Sequence, residues 1–175
     1  YATSLIHTSG SAVTRSADAA TNAGNSDLIN STEGVLYAEV KVDTLSAFSP
    51  SCISINDGSG NNRITLLFYR SSNLLRAFMN KGGVTQFDMQ ESSLPKREYF
   101  IKVAVKYKGN DCSLWFNGVR LLTDTSAVMP AINTFTKLDF NLDGTLYPFY
   151  GNTKSVMVFK EALTDLELEK LTGYN

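Results

Sequence analysis

The chain has 175 residues, 43% of them hydrophobic and 19% charged, with a formal net charge of −1. That length suits one domain with a full core. The balanced charge without a basic run argues against nucleic acid as a partner, and no apolar stretch nears the roughly 20 residues that span a bilayer. So low a share of charge leaves Ser, Thr, Asn and Gly to cover the surface, which suits an extracellular or particle-borne β-protein. Tyr1 is not a natural start, so the chain reads as a fragment and the lack of a signal peptide carries no weight.

After an irregular opening, strand signals follow one another with turn chemistry between them. Residues 35–42 alternate, with Leu36, Ala38, Val40 and Val42 on one face. A short strand at 52–56 leads into the polar turn D-G-S-G-N-N, then strands at 63–70, 73–80 and 84–89. Residues 98–107 alternate strictly, 112–116 follow a K-G-N-D turn, and Asn117-Gly118 is a strong hairpin signal into 119–122. A looser stretch containing Pro130 precedes strands at 136–142 and 153–160. The chain closes on a helix over 164–172: Thr164 and Glu167 form a capping box and Gly173 stops it. Its leucines, Leu166 and Leu171, are expected to cover a sheet edge or end. Short strands with one terminal helix predict an all-β sandwich rather than βαβ units.

The hairpins can be registered from their turns. With Ser71-Ser72 as a two-residue loop, Phe68 faces Leu75, Leu66 faces Ala77 and Ile64 faces Met79, a wholly apolar core face. The other face carries Tyr69, Arg76, Phe78 and Arg63. A three-residue Lys81-Gly82-Gly83 loop then places Phe87 and Met89 inside, with Gln86 beside Phe78 and Asp88 beside Arg76. In the second hairpin Val105 faces Leu114 and Val103 faces Phe116, while Trp115 lies outside between Ala104 and Arg120.

Three kinds of chemistry can be weighed on this frame. Paired carboxylates exist at Glu39 and Asp43 and at Asp139 and Asp143, but neither pair has the third acid that sandwich glucanases align on one strand face. His7, the sole histidine, stands apart from any nucleophile motif, so catalysis is not expected. Calcium could be held by hard oxygens of Asp57, Asn61 and Asn62 or of Asn141 and Asp143, although turn chemistry alone is the favoured account of these residues. Cys52 and Cys112 are expected as free buried thiols rather than a disulfide.

The third candidate is the outer face: Trp115 as a stacking platform, Arg76 and Arg120 as hydroxyl or carboxylate partners, and Tyr69, Phe78, Gln86 and Asp88 completing it. Sugar rings stack apolar C–H faces on aromatics, and their hydroxyls suit planar amide, guanidinium and carboxylate groups. The same residue types equally suit cover by a loop or another chain.

The opening A-T-S-L-I-H-T-S-G-S-A-V-T-R-S-A-D resembles A-T-S-Y-I-P-T-x-G-x-A-V-T-R-x-A-D, a segment recurring in bacteriophage tail and fibre proteins, with His7 in place of its proline. The closing F-K-E-A-L-T-D-L-E-L-E-K-L-T resembles Y-x-x-A-L-T-x-x-E-L-x-x-L, and W-F-N-G-V-R resembles L-Y-V-N-G, both of the concanavalin A-like lectin/glucanase (laminin G-like) domains. The resemblance implies a two-sheet antiparallel jelly roll over residues 13–175, with 1–12 a linker or trailing strand of an upstream module. It further implies a non-catalytic, lectin-like module of a phage tail or fibre, in the virion or outside the cell, that recognises host surface polysaccharide. A structural role in a homotrimeric fibre, or a polysaccharide hydrolase or lyase, stand as alternatives; the glucanase acids are missing, so hydrolase activity does not carry over.

Overall fold

The computed structural model describes residues 10, 23–42, 50–69, 73–92, 99–142 and 146–174. The boundary expected at residue 13, His7, Asp43 and Asp143 lie outside them. Ten strands form: β1 (Glu33–Val42), β2 (Ser51–Asn56), β3 (Arg63–Phe68), β4 (Leu75–Lys81), β5 (Val84–Glu91), β6 (Ile101–Lys108), β7 (Cys112–Phe116), β8 (Val119–Asp124), β9 (Lys137–Asp139) and β10 (Gly151–Phe159). One helix, α1 (Asp165–Thr172), closes the chain. Two five-stranded antiparallel sheets result, ordered β10-β1-β6-β7-β8 and β5-β4-β3-β2-β9. This is the all-β sandwich with one C-terminal helix that alternation and turn spacing predict, and the two-sheet antiparallel jelly roll that the resemblance implies.

The main core lies between the sheets and holds one face of each strand. Leu36, Ala38, Val40 and Val42 of β1 meet Ile53, Ile55, Ile64, Leu66 and Phe68 of the facing sheet. The β3–β4 register is as the sequence predicts: Ile64 opposes Met79, Leu66 opposes Ala77 and Phe68 opposes Leu75. So is β6–β7, with Val103 opposite Phe116 and Ala104 opposite Trp115, and across the next turn Trp115 opposes Arg120. Asn117 and Gly118 both take positive φ, as a two-residue turn between twisted strands requires.

β4 and β5 differ from expectation. Lys81 pairs with Val84, so the turn has two residues, and a bulge between Met79 and Asn80 shifts the pairing on its far side. Phe87 and Met89 still point inward, but Asp88 now opposes Phe78, and Gln90 opposes Arg76. Both thiols are free and buried. Cys112 belongs to the main core and Cys52 to a small cluster on the outer face of the other sheet, so the sheet separates them.

A second apolar layer forms on the outer face of the β1 sheet. Val35, Tyr37, Ala104 and Trp115 are covered there by Leu168, with Phe159, Leu163 and Leu171 packed around them. α1 therefore covers a sheet face rather than an edge or end, and Leu168 is the residue it buries; Leu166, expected at the contact, is exposed. The capping box is present: the Thr164 hydroxyl accepts from Glu167 N, and the Glu167 carboxylate accepts from Thr164 N at 2.8 Å. Gly173 ends the helix in extended backbone rather than a left-handed turn, and its lack of a side chain matters because a Cβ there would lie 2.8 Å from the Glu169 carbonyl oxygen.

Candidate functional site

The outward residues of the two sheets have different fates. On the β1 sheet, Trp115 retains 4% of its surface and its indole N–H donates to Ser113 Oγ at 2.9 Å. α1 lies over it, and Arg120 is drawn to the N-terminus of that helix through Asp165. Lys106 joins the same latch, 2.8 Å from Asp111 and 3.8 Å from Asp165. A stacking platform must be reached by a ligand ring, so burial under α1 removes Trp115 from that role. Arg120 serves the latch. An apolar outer row needs cover, and the terminal helix supplies it.

On the β4 sheet the described residues cover the outer face unevenly. Near β2, Ser54 Oγ donates to the Asn141 carbonyl at 2.7 Å, Cys52 Sγ donates to the Tyr147 carbonyl, and Leu142 packs with Cys52, Leu67 and Phe78. Toward β5 the cover thins to Val128, whose N–H donates to Gln86, and Arg76 and Asp88 stay partly exposed. There Arg76 binds Asp88 in a fork, Nε to Oδ1 at 2.7 Å and one terminal nitrogen to Oδ2 at 2.9 Å. Their side chains keep 29% and 33% of their surface. Phe78 sits beneath, its ring between the guanidinium carbons of Arg63 and Arg76 at 5.1 and 4.9 Å from the centroid. Only 6% exposed, it braces the guanidinium groups and leaves no open ring face for a ligand.

Tyr69 packs on the apolar cluster beside Leu67 and Phe78. The Asp88 hydrogen bond, more than burial opposes it, raises the Arg76 pKa above its ordinary value. Gln86 stands apart, tied to the Val84 carbonyl and to Val128 N at 3.3 Å each. Gln90 stands opposite Arg76, where Asp88 was expected, and its amide donates to Asp88 Oδ2 at 3.0 Å. Sequence reasoning missed Gln90 because the bulge that brings it opposite Arg76 leaves no mark in side-chain type.

The predicted set therefore divides. Tyr69, Arg76, Phe78 and Asp88 come together on one face, Gln86 lies at its margin, and Trp115 and Arg120 are on the opposite side of the sandwich. Two stacked sheets are about 10 Å apart, so no single sugar ring touches both groups.

The Asp57 loop is held by its own hydrogen bonds. Asp57 Oδ1 accepts from Ser59 N and Ser59 Oγ at 2.8 and 2.7 Å, and Oδ2 accepts from Asn62 Nδ2 at 2.8 Å. Burial would raise its pKa, but the bonds from Asn62 and Ser59 outweigh that and hold it below the usual carboxylate value. Asn61 N donates to Ser59 Oγ, a turn contact. No group of three or more His, Cys, Asp or Glu side chains gathers among the described residues. Of the acids weighed for catalysis, the two among the described residues are partnered: Glu39 with Lys154 at 2.8 Å and Asp139 with Asn56 at 2.9 Å.

Two antiparallel five-stranded sheets with a face-capping helix define a jelly-roll sandwich. The family model of the Concanavalin A-like lectin/glucanases superfamily (the Laminin G type) matches residues 14–169, and the chain belongs to that superfamily. Among solved structures it is similar to the Ruminococcus gnavus IT-sialidase CBM40 bound to α2,3-sialyllactose, with TM-score 0.67 and 17% identity over 81% of this chain and 83% of that one. It is also similar to domain 4 of AbnA, a GH43 extracellular arabinanase from Geobacillus stearothermophilus, in complex with arabinotriose, with TM-score 0.64 and 13% identity over 85% and 70%. The NanB sialidase of Streptococcus pneumoniae matches with TM-score 0.67 and 14% identity over 84% of this chain and 25% of that one. No curated protein matches the chain.

Proposed function

We propose that this domain is a non-catalytic glycan-binding module whose binding surface is the partly exposed outer face of β4 and β5. The observation that carries this reading is the Arg76–Asp88 fork, braced on Phe78 and partly open to solvent. It offers fixed N–H donors and carboxylate acceptors on a flat surface, the arrangement that vicinal hydroxyls match. The partnered state of Glu39 and Asp139 supports binding without hydrolysis. Neighbours of this fold in complex with sialyllactose and arabinotriose support a sugar as the ligand. The opening segment similar to phage tail and fibre proteins supports a place in a virion fibre, outside the cell, and host surface polysaccharide as the target.

A glycan array followed by titration of the best hit tests this. Binding by the native domain, lost in Arg76→Ala, is the expected result. A stable trimer by light scattering with no glycan bound would favour the structural role in a fibre, and release of reducing ends from polysaccharide would favour a hydrolase.

A further inference from the structure

Five described residues other than glycine have left-handed backbones, and four are Asn: Asn73, Asn110, Asn117 and Asn133. The fifth is Tyr147, at φ 52°. Asn tolerates this region because its short side chain bonds locally, whereas a bulky side chain is an outlier there. Pro148 follows, and a residue before proline is pushed toward extended backbone, so Tyr147 is disfavoured on two counts.

The surroundings impose this conformation. Cys52 Sγ donates to the Tyr147 carbonyl at 3.1 Å, Leu142 N donates to the Leu146 carbonyl at 2.7 Å, and Phe149 N donates to the Phe140 carbonyl at 2.8 Å. Phe149 anchors the far side by edge contacts with Phe68 and Phe140. The strained residue gains no core burial in return, for Tyr147 keeps 44% of its surface. Strain maintained under an exposed aromatic is a feature of ligand clamps.

Its position completes the argument. Tyr147 is tied to Cys52, which opposes Leu67; Leu67 opposes Arg76, and Arg76 opposes Gln90. Two strand spacings, about 10 Å, therefore separate the Tyr147 anchor from Arg76, and Leu142 packs on Cys52 and Leu67 between them, an apolar floor long enough for one or two sugar residues to lie across. Building on the glycan-binding reading above, we propose that Tyr147 is the second wall of that site and that the ligand is an uncharged saccharide lying between it and the Arg76–Asp88 fork. Charge is balanced within the site: Asp88 matches Arg76 in a fork, and Gln90 adds a neutral amide. A sugar carboxylate would have to lie beside Asp88 or displace it. Arg63 is on the far side of the Phe78 ring, toward the other end of the strands.

The test is an array of neutral oligosaccharides (glucose, galactose, mannose and rhamnose ends) beside sialylated and uronate-bearing ones, then calorimetry with the strongest neutral binder. Tyr147→Gly suits the left-handed backbone, so its thermal midpoint should match or exceed the native value while Kd rises about tenfold, as loss of one aromatic contact implies. Tyr147→Phe should keep the affinity. Binding that fails in Arg76→Ala but survives in Tyr147→Gly overturns the second wall and leaves the glycan site standing. A lowered midpoint in Tyr147→Gly marks a structural ring and also overturns it. Binding confined to acidic glycans overturns the uncharged class, and no binding of any glycan overturns both this inference and the reading it rests on.

Discussion

Arg76 and Asp88 form their two-point contact although they are not cross-strand partners; Asp88 opposes Phe78 and Arg76 opposes Gln90. The guanidinium reaches diagonally over the Phe78 ring to the acid. The bulge between Met79 and Asn80 creates that diagonal, which places ring, guanidinium, carboxylate and amide within one small area. A diagonal fork fixes both planes, where a directly opposed pair would leave the long side chain free to wander.

Both partners are about a third exposed, so breaking the fork should cost little stability, under about 1 kcal/mol. Asp88→Asn and Arg76→Lys should therefore melt within a few degrees of the native protein. Each should nonetheless lose glycan affinity, because lysine cannot reproduce the planar fork and asparagine loses the charge that orients it. Parallel melting curves and titration calorimetry check this; equal loss of stability and binding would refute it.

Trp115 should behave in the opposite way. Trp115→Ala removes a ring packed between Ala104 and Leu168 and should cost about 3–5 kcal/mol, whereas Trp115→Phe should keep glycan affinity unchanged. As the sole tryptophan, it gives a direct optical readout. Its emission should be blue-shifted in the native state, indifferent to added glycan, and red-shifted when the chain is truncated after Leu163.

Most of the architecture was legible because β-alternation records which residues face inward, and the Asn117-Gly118 turn sets register. Alternation does not record what lies over the outward residues. Trp115 and Phe78 both read as outer-face aromatics; one is sealed by α1 and the other by guanidinium groups and Leu142, and the α1 and Leu142 contacts cross long chain separations. The helix carries leucines on more than one side, so its contact residue, Leu168, was not evident before its landing surface was seen. Tyr147 gave no signal because its backbone strain comes from where its loop is pinned.

Thr164 and Glu167 allow a pH prediction. Hydrogen bonds from Thr164 hold the Glu167 pKa below its ordinary 4.5. A carboxylate with a depressed folded pKa stabilises the fold above its unfolded value, and that contribution is lost as pH falls through the folded one. Thr164→Ala should cost about 1 kcal/mol at neutral pH. Its difference from the native protein should shrink below pH 4.5, as thermal melts across that range would show.

The thiols should be silent in the folded chain. Burial raises the Cys112 pKa to about 11, so it is a thiol at neutral pH, and Cys52 is fully buried beneath the Tyr147 carbonyl. A thiol reagent should label neither in native buffer and both in denaturant. Rapid native labelling of Cys52 alone would show that the cover made by Leu142 and Tyr147 opens readily.

Gly34 and Tyr107 make the most sensitive point of the β1 sheet. Tyr107 is fully buried, its hydroxyl donates to the Asn30 carbonyl at 2.7 Å, and its ring meets Phe135 edge-on. Burial, with the nearby Glu33 charge, keeps that hydroxyl protonated well above its ordinary pKa. Gly34 lies directly against it: an added Cβ would overlap both the Tyr107 hydroxyl and the backbone oxygen of Phe159 on β10. Tyr107→Phe should cost about 1 kcal/mol by leaving the Asn30 carbonyl unpaired. Gly34→Ala should cost more, about 3 kcal/mol, since neither a packed ring nor a strand backbone can yield easily. Combining the two removes only the hydroxyl clash, so the double variant should recover part of the loss and no more. Full recovery would mean that β10 moves freely against β1, and hydrogen exchange at Phe159 and its strand neighbours would then be fast rather than protected.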